Sequence, residues 1–163
     1  MSASDLIATL SGAGPAIAGP LAEREEIMRL SQASHDAVLL PREPGGLDHA
    51  ERAALAARMA RHNREPELET HYRRLLLRAG ETPALAAIAE AAEFTAIDGR
   101  LRAIVRHADM VTLTPRDATK SDIAALVAAG VSESDIVRLA ELIAFVNYQA
   151  RVIAGLRLLE AAR

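Results

Sequence analysis

The chain contains no cysteine and no tryptophan in its 163 residues. Without a thiol it forms neither a disulfide nor a zinc–thiolate centre, and no sulfenic acid can be made and resolved within it. Aromatic residues are scarce: Tyr72, Phe94, Phe145 and Tyr148 are all there are. A basic excess is also missing, since the formal charge is -3. Nucleic-acid binders gather cations to release counterions and rings to stack bases, so a nucleic-acid partner is not expected. No N-terminal stretch joins a basic start to a long apolar run, so no secretory leader is read, and a cysteine-free composition suits a cytoplasmic protein. The longest apolar stretch, Leu139 to Leu159, is broken by Glu141, Asn147, Gln149, Arg151 and Arg157. A central arginine costs about 3 kcal/mol in a bilayer, so the stretch reads as a buried helix and no membrane partner is expected.

What is present is helix-forming material. Hydrophobic residues make up 50% of the chain, and they are mostly Ala, Leu, Ile and Val, which favour close helix packing over a sheet. No segment keeps a period-two alternation, so the fold class expected is all-α. The length suits a single domain spanning 1–163. Ser2 to Leu10 reads as a short helix. Gly12, Gly14 and Pro15 break it, and Gly19-Pro20 breaks the chain again. Leu21 to Leu40 reads as one or two helices with a division near Ser31–Ser34. Pro41 to Gly46 is a loop. Asp48 caps the next helix, with Glu51 as its capping-box partner, and that helix runs to about His62. Pro66 opens another that ends at Ala79, with Gly80 as the left-handed stop. Thr82 and Pro83 start a helix expected to reach Ala108. Thr119 opens a short one ending at Gly130, and Ser132, with Asp135 as its box partner, opens the last. The repeated device Gly80-Glu81-Thr82 and Gly130-Val131-Ser132 reads as ordinary punctuation, because little else aligns at that offset.

The segment Leu47 to Gly80 carries a further pattern. Glu51-Arg52 opens a small-residue helix ending at Asn63. Glu65-Pro66-Glu67-Leu68 follows, then His71-Tyr72 and Ala79-Gly80. This resembles the carboxymuconolactone decarboxylase and alkylhydroperoxidase D superfamily, whose members show such a helix–turn–helix with Asn-Gly-Cys-x-x-Cys at the turn. Ala129-Gly130-Val131-Ser132, with Phe145, Asn147 and Arg151, resembles the tail of its peroxidase-related branch. The resemblance covers 47–159 and leaves 1–46 as an N-terminal helical extension. It implies an alkylhydroperoxidase D-like bundle of about seven helices with the hairpin at its centre. It also implies a homo-oligomer, and a related protein as a further partner.

Laid on that pattern, Glu65 and Leu68 occupy the two thiol positions. Tyr72 falls on the usual histidine, with His71 one place early, and Ala53 falls on the proton-relay glutamate. A dithiol peroxidase mechanism is therefore excluded by chemistry. The resemblance instead implies a protein that binds a small molecule or partners an active relative. The decarboxylase branch implies an alternative enzyme: its Glu-x3-His element is matched by Glu67 and His71, with His71 as acid–base, Glu67 as its orienter and Tyr72 standing in for His71 if the register shifts. Four residues apart, Glu67 and His71 share a helix face, and such a pair equally describes a solvated surface. Asn147 and Arg151 form a polar stripe in the apolar last helix. They read either as a wall holding a small-molecule carboxylate, or as a structural pair with Glu51, Glu90 or Glu93 or with another subunit. A purely structural assembly subunit is the third reading. No cofactor and no metal are expected. Glu67 and His71 make half a ligand set, and His35, His49, His62 and His107 are scattered.

Overall fold

The computed structural model describes residues 5–12, 14–92 and 97–162. Among them the regular structure is helical throughout: α1 (Leu6–Ser11), α2 (Pro15–Ala22), α3 (Glu25–Leu39), α4 (His49–His62), α5 (Pro66–Ala79), α6 (Pro83–Ala89), α7 (Gly99–Leu113), a 3-10 turn (Pro115–Asp117), α8 (Lys120–Ala128) and α9 (Glu133–Ala161). The all-α class stands. The helices number nine among the described residues, against about seven expected.

The centre is the α4–α5 hairpin. Ala53, Ala54, Ala56, Ala57 and Ala60 of α4 are buried, and their small side chains let neighbouring backbones approach closely. α5, α6, α7 and α9 all pack on α4. The 29-residue α9 has the length and apolar composition of a membrane span. Here it is the strut on which α1, α2, α3, α4, α7 and α8 lean, and Leu139, Leu142, Val146 and Ile153 along it are buried.

Helix starts follow the side-chain caps. Asp48 accepts from the Glu51 N–H at 2.7 Å, Asp98 from Leu101 N–H at 2.7 Å, and Ser132 from Asp135 N–H at 3.1 Å. Two expected capping boxes are only half made. The Glu51 carboxylate takes two bonds from Arg100, at 2.9 and 3.0 Å. The Asp135 carboxylate accepts from the Gly46 N–H at 2.9 Å, from Arg138 at 2.9 Å and from the Ser132 hydroxyl at 2.6 Å, while among the described residues no bond from the Ser132 N–H closes the box. In both cases a partner distant in the sequence takes a share of the carboxylate.

Three expected boundaries differ. The helix from Pro83 stops at Ala89, not Ala108, and Ala91 at φ 53° is the cause. Ala91 N–H reaches Ile88 O, and Ala92 N–H reaches Ala87 O. This is the Schellman stop with alanine where glycine is usual. α2 runs through Gly19-Pro20 to Ala22, with Pro20 inside the helix and without the backbone donor that another residue would supply there. α3 is continuous across Ser31–Ser34, and the Ser31 hydroxyl is satisfied inside it by Ile27 O at 2.9 Å. The first helix starts at Leu6 behind an Asp5 cap; residues 2–4 of the Ser2–Leu10 expectation lie outside the described residues.

Arg52 fixes the 40–47 loop. It is 2% exposed, and its guanidinium donates to Leu47 O, Val38 O and Pro44 O at 2.8, 2.9 and 2.8 Å. The end of α3 and the approach to α4 are thereby held by one side chain.

Candidate functional site

The bend between α4 and α5 is built from a second glycine-free Schellman stop. Arg64 sits at φ 59°, with Arg64 N–H on Arg61 O and Glu65 N–H on Ala60 O. Asn63 donates to Met59 O at 2.8 Å and to Asn147 Oδ1 at 2.9 Å. Asn147, buried in α9, donates in turn to Thr112 Oγ1 and Ile143 O. The two resembling segments, far apart in sequence, therefore meet through one amide pair.

Both thiol positions of the resemblance lie at this bend. Glu65 is the residue before α5 and is 6% exposed. Its carboxylate accepts from Arg157 Nη1 at 2.6 Å. Arg157 also donates to Leu10 O through Nε and Nη2, and to Glu67 at 3.0 Å. Leu68 and Ala53 are both buried in the core.

One turn further along α5 is a pair of imidazoles. His71 Nε2 lies 3.0 Å from His35 Nε2 of α3. His35 Nδ1 lies 3.0 Å from Asp36 Oδ1, which also accepts from Gln32 at 3.0 Å. With the His35 Nδ1–H donating to the carboxylate, its Nε2 offers a lone pair, and His71 supplies the proton of the contact. Burial pushes the His71 pKa down to about 4, helped by His35, Arg78 and Arg74, so the ring is neutral at pH 7. Tyr72 stacks under His35, with ring planes 12° apart. It is wholly buried, its hydroxyl donates to Gln149 Oε1, and burial pushes its phenol far up.

The other candidates are dispersed. The Glu67 carboxylate is mostly exposed and held by Arg157, so it is not the orienter of His71. The helix face that Glu67 and His71 share is cut by partners on other helices, which capture each side chain first. Arg151 is exposed and, among the described residues, donates to Asn147 O, one turn back at 3.0 Å. The expected burial of its guanidinium is corrected, because its stem leaves the helix toward solvent. Of its suggested partners, Glu51 is held by Arg100 and Glu90 by Arg73; Glu93 lies outside the described residues. Glu67, His71 and Arg151 each engage a different partner: Arg157, His35 and the Asn147 carbonyl. An open cleft of about 480 Å³ between α3 and α9 is lined by Val38, Glu141, Phe145 and Tyr148 among others, and neither imidazole lines it. Among the described residues, no group of three or more His, Asp or Glu is placed to hold an ion.

His35, Asp36, Gln149 and Arg157 are the residues that sequence reasoning did not single out. A signal for His35 existed. Ser31, His35 and Leu39 follow at four-residue steps and form the buried stripe of α3, so a histidine stands where an apolar residue belongs.

No family model matches the sequence, and no curated protein matches it. Solved structures do. A peroxidase-related protein from Silicibacter sp. TM1040 is 19% identical, with a TM-score of 0.67 over 80% of this chain and 68% of that one. An alkylhydroperoxidase AhpD core, a peroxidase-related protein from Ralstonia eutropha JMP134, is 25% identical, with a TM-score of 0.69 over 81% of this chain and 69% of that one. The likeness read from the sequence and the likeness of the backbone agree, and the chain has the alkylhydroperoxidase D-like helical fold, built without a cysteine.

Proposed function

We propose that the chain is a non-peroxidase protein of this fold that binds a small molecule, or pairs with an active relative. One observation carries the non-peroxidase reading. At the bend where the resemblance puts two thiols stand Glu65, locked to Arg157, and Leu68, sealed in the core. Neither can attack a peroxide or resolve a sulfenic acid. Peroxide consumption with a dithiol donor should not rise above buffer, and turnover would overturn the reading. A thermal-shift screen with small aromatic and dicarboxylic acids tests the binding half. A ligand that raises the melting temperature supports it, and a flat response across the acids counts against it.

The imidazole contact favours a second reading: acid–base catalysis of the decarboxylase type. Asp36, His35 and His71 form a chain that ends on a neutral ring, with His35 in the orienting role assigned to Glu67 from the sequence. This reading requires decarboxylation of a small carboxylate to be lost in both His71→Ala and His35→Ala. Assembly as a homo-oligomer completes the proposal. Val127, Val137 and Leu158 are exposed apolar side chains that a partner copy would cover. Sedimentation should then give a species heavier than one chain.

A further inference from the structure

A second cleft, of about 450 Å³, lies between α7 and α8 and is lined by neither the bend nor the imidazole pair. α7 presents Arg102, Arg106 and His107 to it, at helical spacing on one face. Its floor is apolar: Ala103 and Met110 from α7, and the fully buried Leu126 from α8.

The polar groups here are unevenly committed. Arg102 gives one bond, to Ile97 O at 3.2 Å. Arg106 donates no hydrogen bond among the described residues, and its charge acts on Asp122 across the cleft without a close ion pair. Asp122, the acidic side chain in the lining, is occupied in capping α8, accepting from the Thr119 N–H and hydroxyl at 2.8 Å each. His107 Nδ1 is buried with no partner among the described residues. A buried polar atom without a partner costs about 1–3 kcal/mol, and a ligand or a water must answer it. Burial also holds the His107 pKa down, so the ring meets a ligand as a neutral imidazole.

The balance in the cleft is two guanidinium charges against one carboxylate. That favours a monoanion, because Asp122 would oppose a second negative charge. Planar guanidinium forks suit a carboxylate, and the apolar floor offers nothing to a bare inorganic ion. We propose that the α7–α8 cleft binds a small amphipathic monocarboxylate. Its carboxylate sits on Arg106 and Arg102, and a small turn of the His107 ring would bring the buried Nδ1 to one oxygen. Its hydrocarbon body lies along Ala103, Met110 and Leu126. The assignment rests on the reading that the chain binds a small molecule, and it says where.

Octanoate is the probe, with octanamide and inorganic phosphate as controls, measured by calorimetry on the full chain. Octanoate should bind, and both controls should bind at least about tenfold more weakly, because each lacks either the charge or the apolar body. Arg106→Gln should weaken octanoate by a similar factor. Ala125 lines the cleft from an exposed position, so Ala125→Trp should fill the space and abolish binding without lowering the melting temperature. The His107 ring-nitrogen resonance should move on saturation. Absence of octanoate binding, equal binding of either control, or binding that survives Ala125→Trp overturns the assignment. If it falls while an acid from the thermal-shift screen still stabilises the protein, the wider reading stands without this cleft. If no acid stabilises it, both fall.

Discussion

A buried arginine such as Arg52 is costly unless it is well bonded, and here each of its three nitrogens donates to a backbone carbonyl. Lysine would offer a single point charge to acceptors that lie on different sides. Arg52→Lys should therefore lower stability by about 2–4 kcal/mol, since buried acceptors are left without donors. Denaturant unfolding with an unchanged slope checks this, and a loss below about 0.5 kcal/mol would show the carbonyls were not depending on it. His71 gives a pH-dependent prediction. Its pKa is near 6.5 when unfolded and about 4 in the fold, so the unfolded chain binds more protons between those values. Stability contributed by the neutral ring is present above about pH 6.5 and is lost as pH falls through 4, at no more than about 1.4 kcal/mol per pH unit. His71→Gln should flatten the curve in that window and leave its slope unchanged above pH 7. Parallel curves would mean that His71 does not titrate there. At this scale the sequence was a partial guide. Glu65, Leu68 and Tyr72 could be named from position alone. The partners that define them, Arg157 and Gln149, are 92 and 77 residues away, and no local pattern encodes such a distance.

Elements were more legible than contacts, because caps and stops are local chemistry. Asp48, Pro66, Gly80, Thr119 and Ser132 each mark the boundary they were expected to mark. The missed stop after α6 has a specific reason. Alanine is the strongest helix former, and nothing in Ala86 to Ala92 advertises a left-handed residue. Both Ala91 and Arg64 pay the side-chain clash that glycine avoids. Ala91→Gly and Arg64→Gly should each stabilise the protein by up to about 1 kcal/mol, the relief being offset by the greater freedom of glycine when unfolded. A melting temperature lowered by either change would mean that the positive φ is not a source of strain. Gly46 is the opposite case. A Cβ there would stand 2.4 Å from Asp135 Oδ2, so Gly46→Ala must displace the carboxylate that accepts from its own N–H. A loss of about 1–3 kcal/mol is expected by thermal unfolding, as for other buried bonds to charged groups.

For the whole molecule, the order of helices and the central hairpin could be read from the sequence, because hydrophobic spacing and resemblance both pointed there. The convergence of α3 on α5 could not, since the N-terminal extension lay outside the resemblance and its buried face is marked by a single histidine. Arg157 is the feature with the widest reach. It stands near the far end of α9 and grips the Leu10 carbonyl of α1 and the two glutamates that open α5. Arg157→Ala should raise amide exchange at Leu6–Ser11 and at 63–66 together, with little change in α7. Protection lost at only one of the two would mean that they are held separately. A nick that removes only the last two turns of the chain would thus unlatch its beginning and its middle in the same event, making the tail a clasp whose release is felt in two places far from the cut.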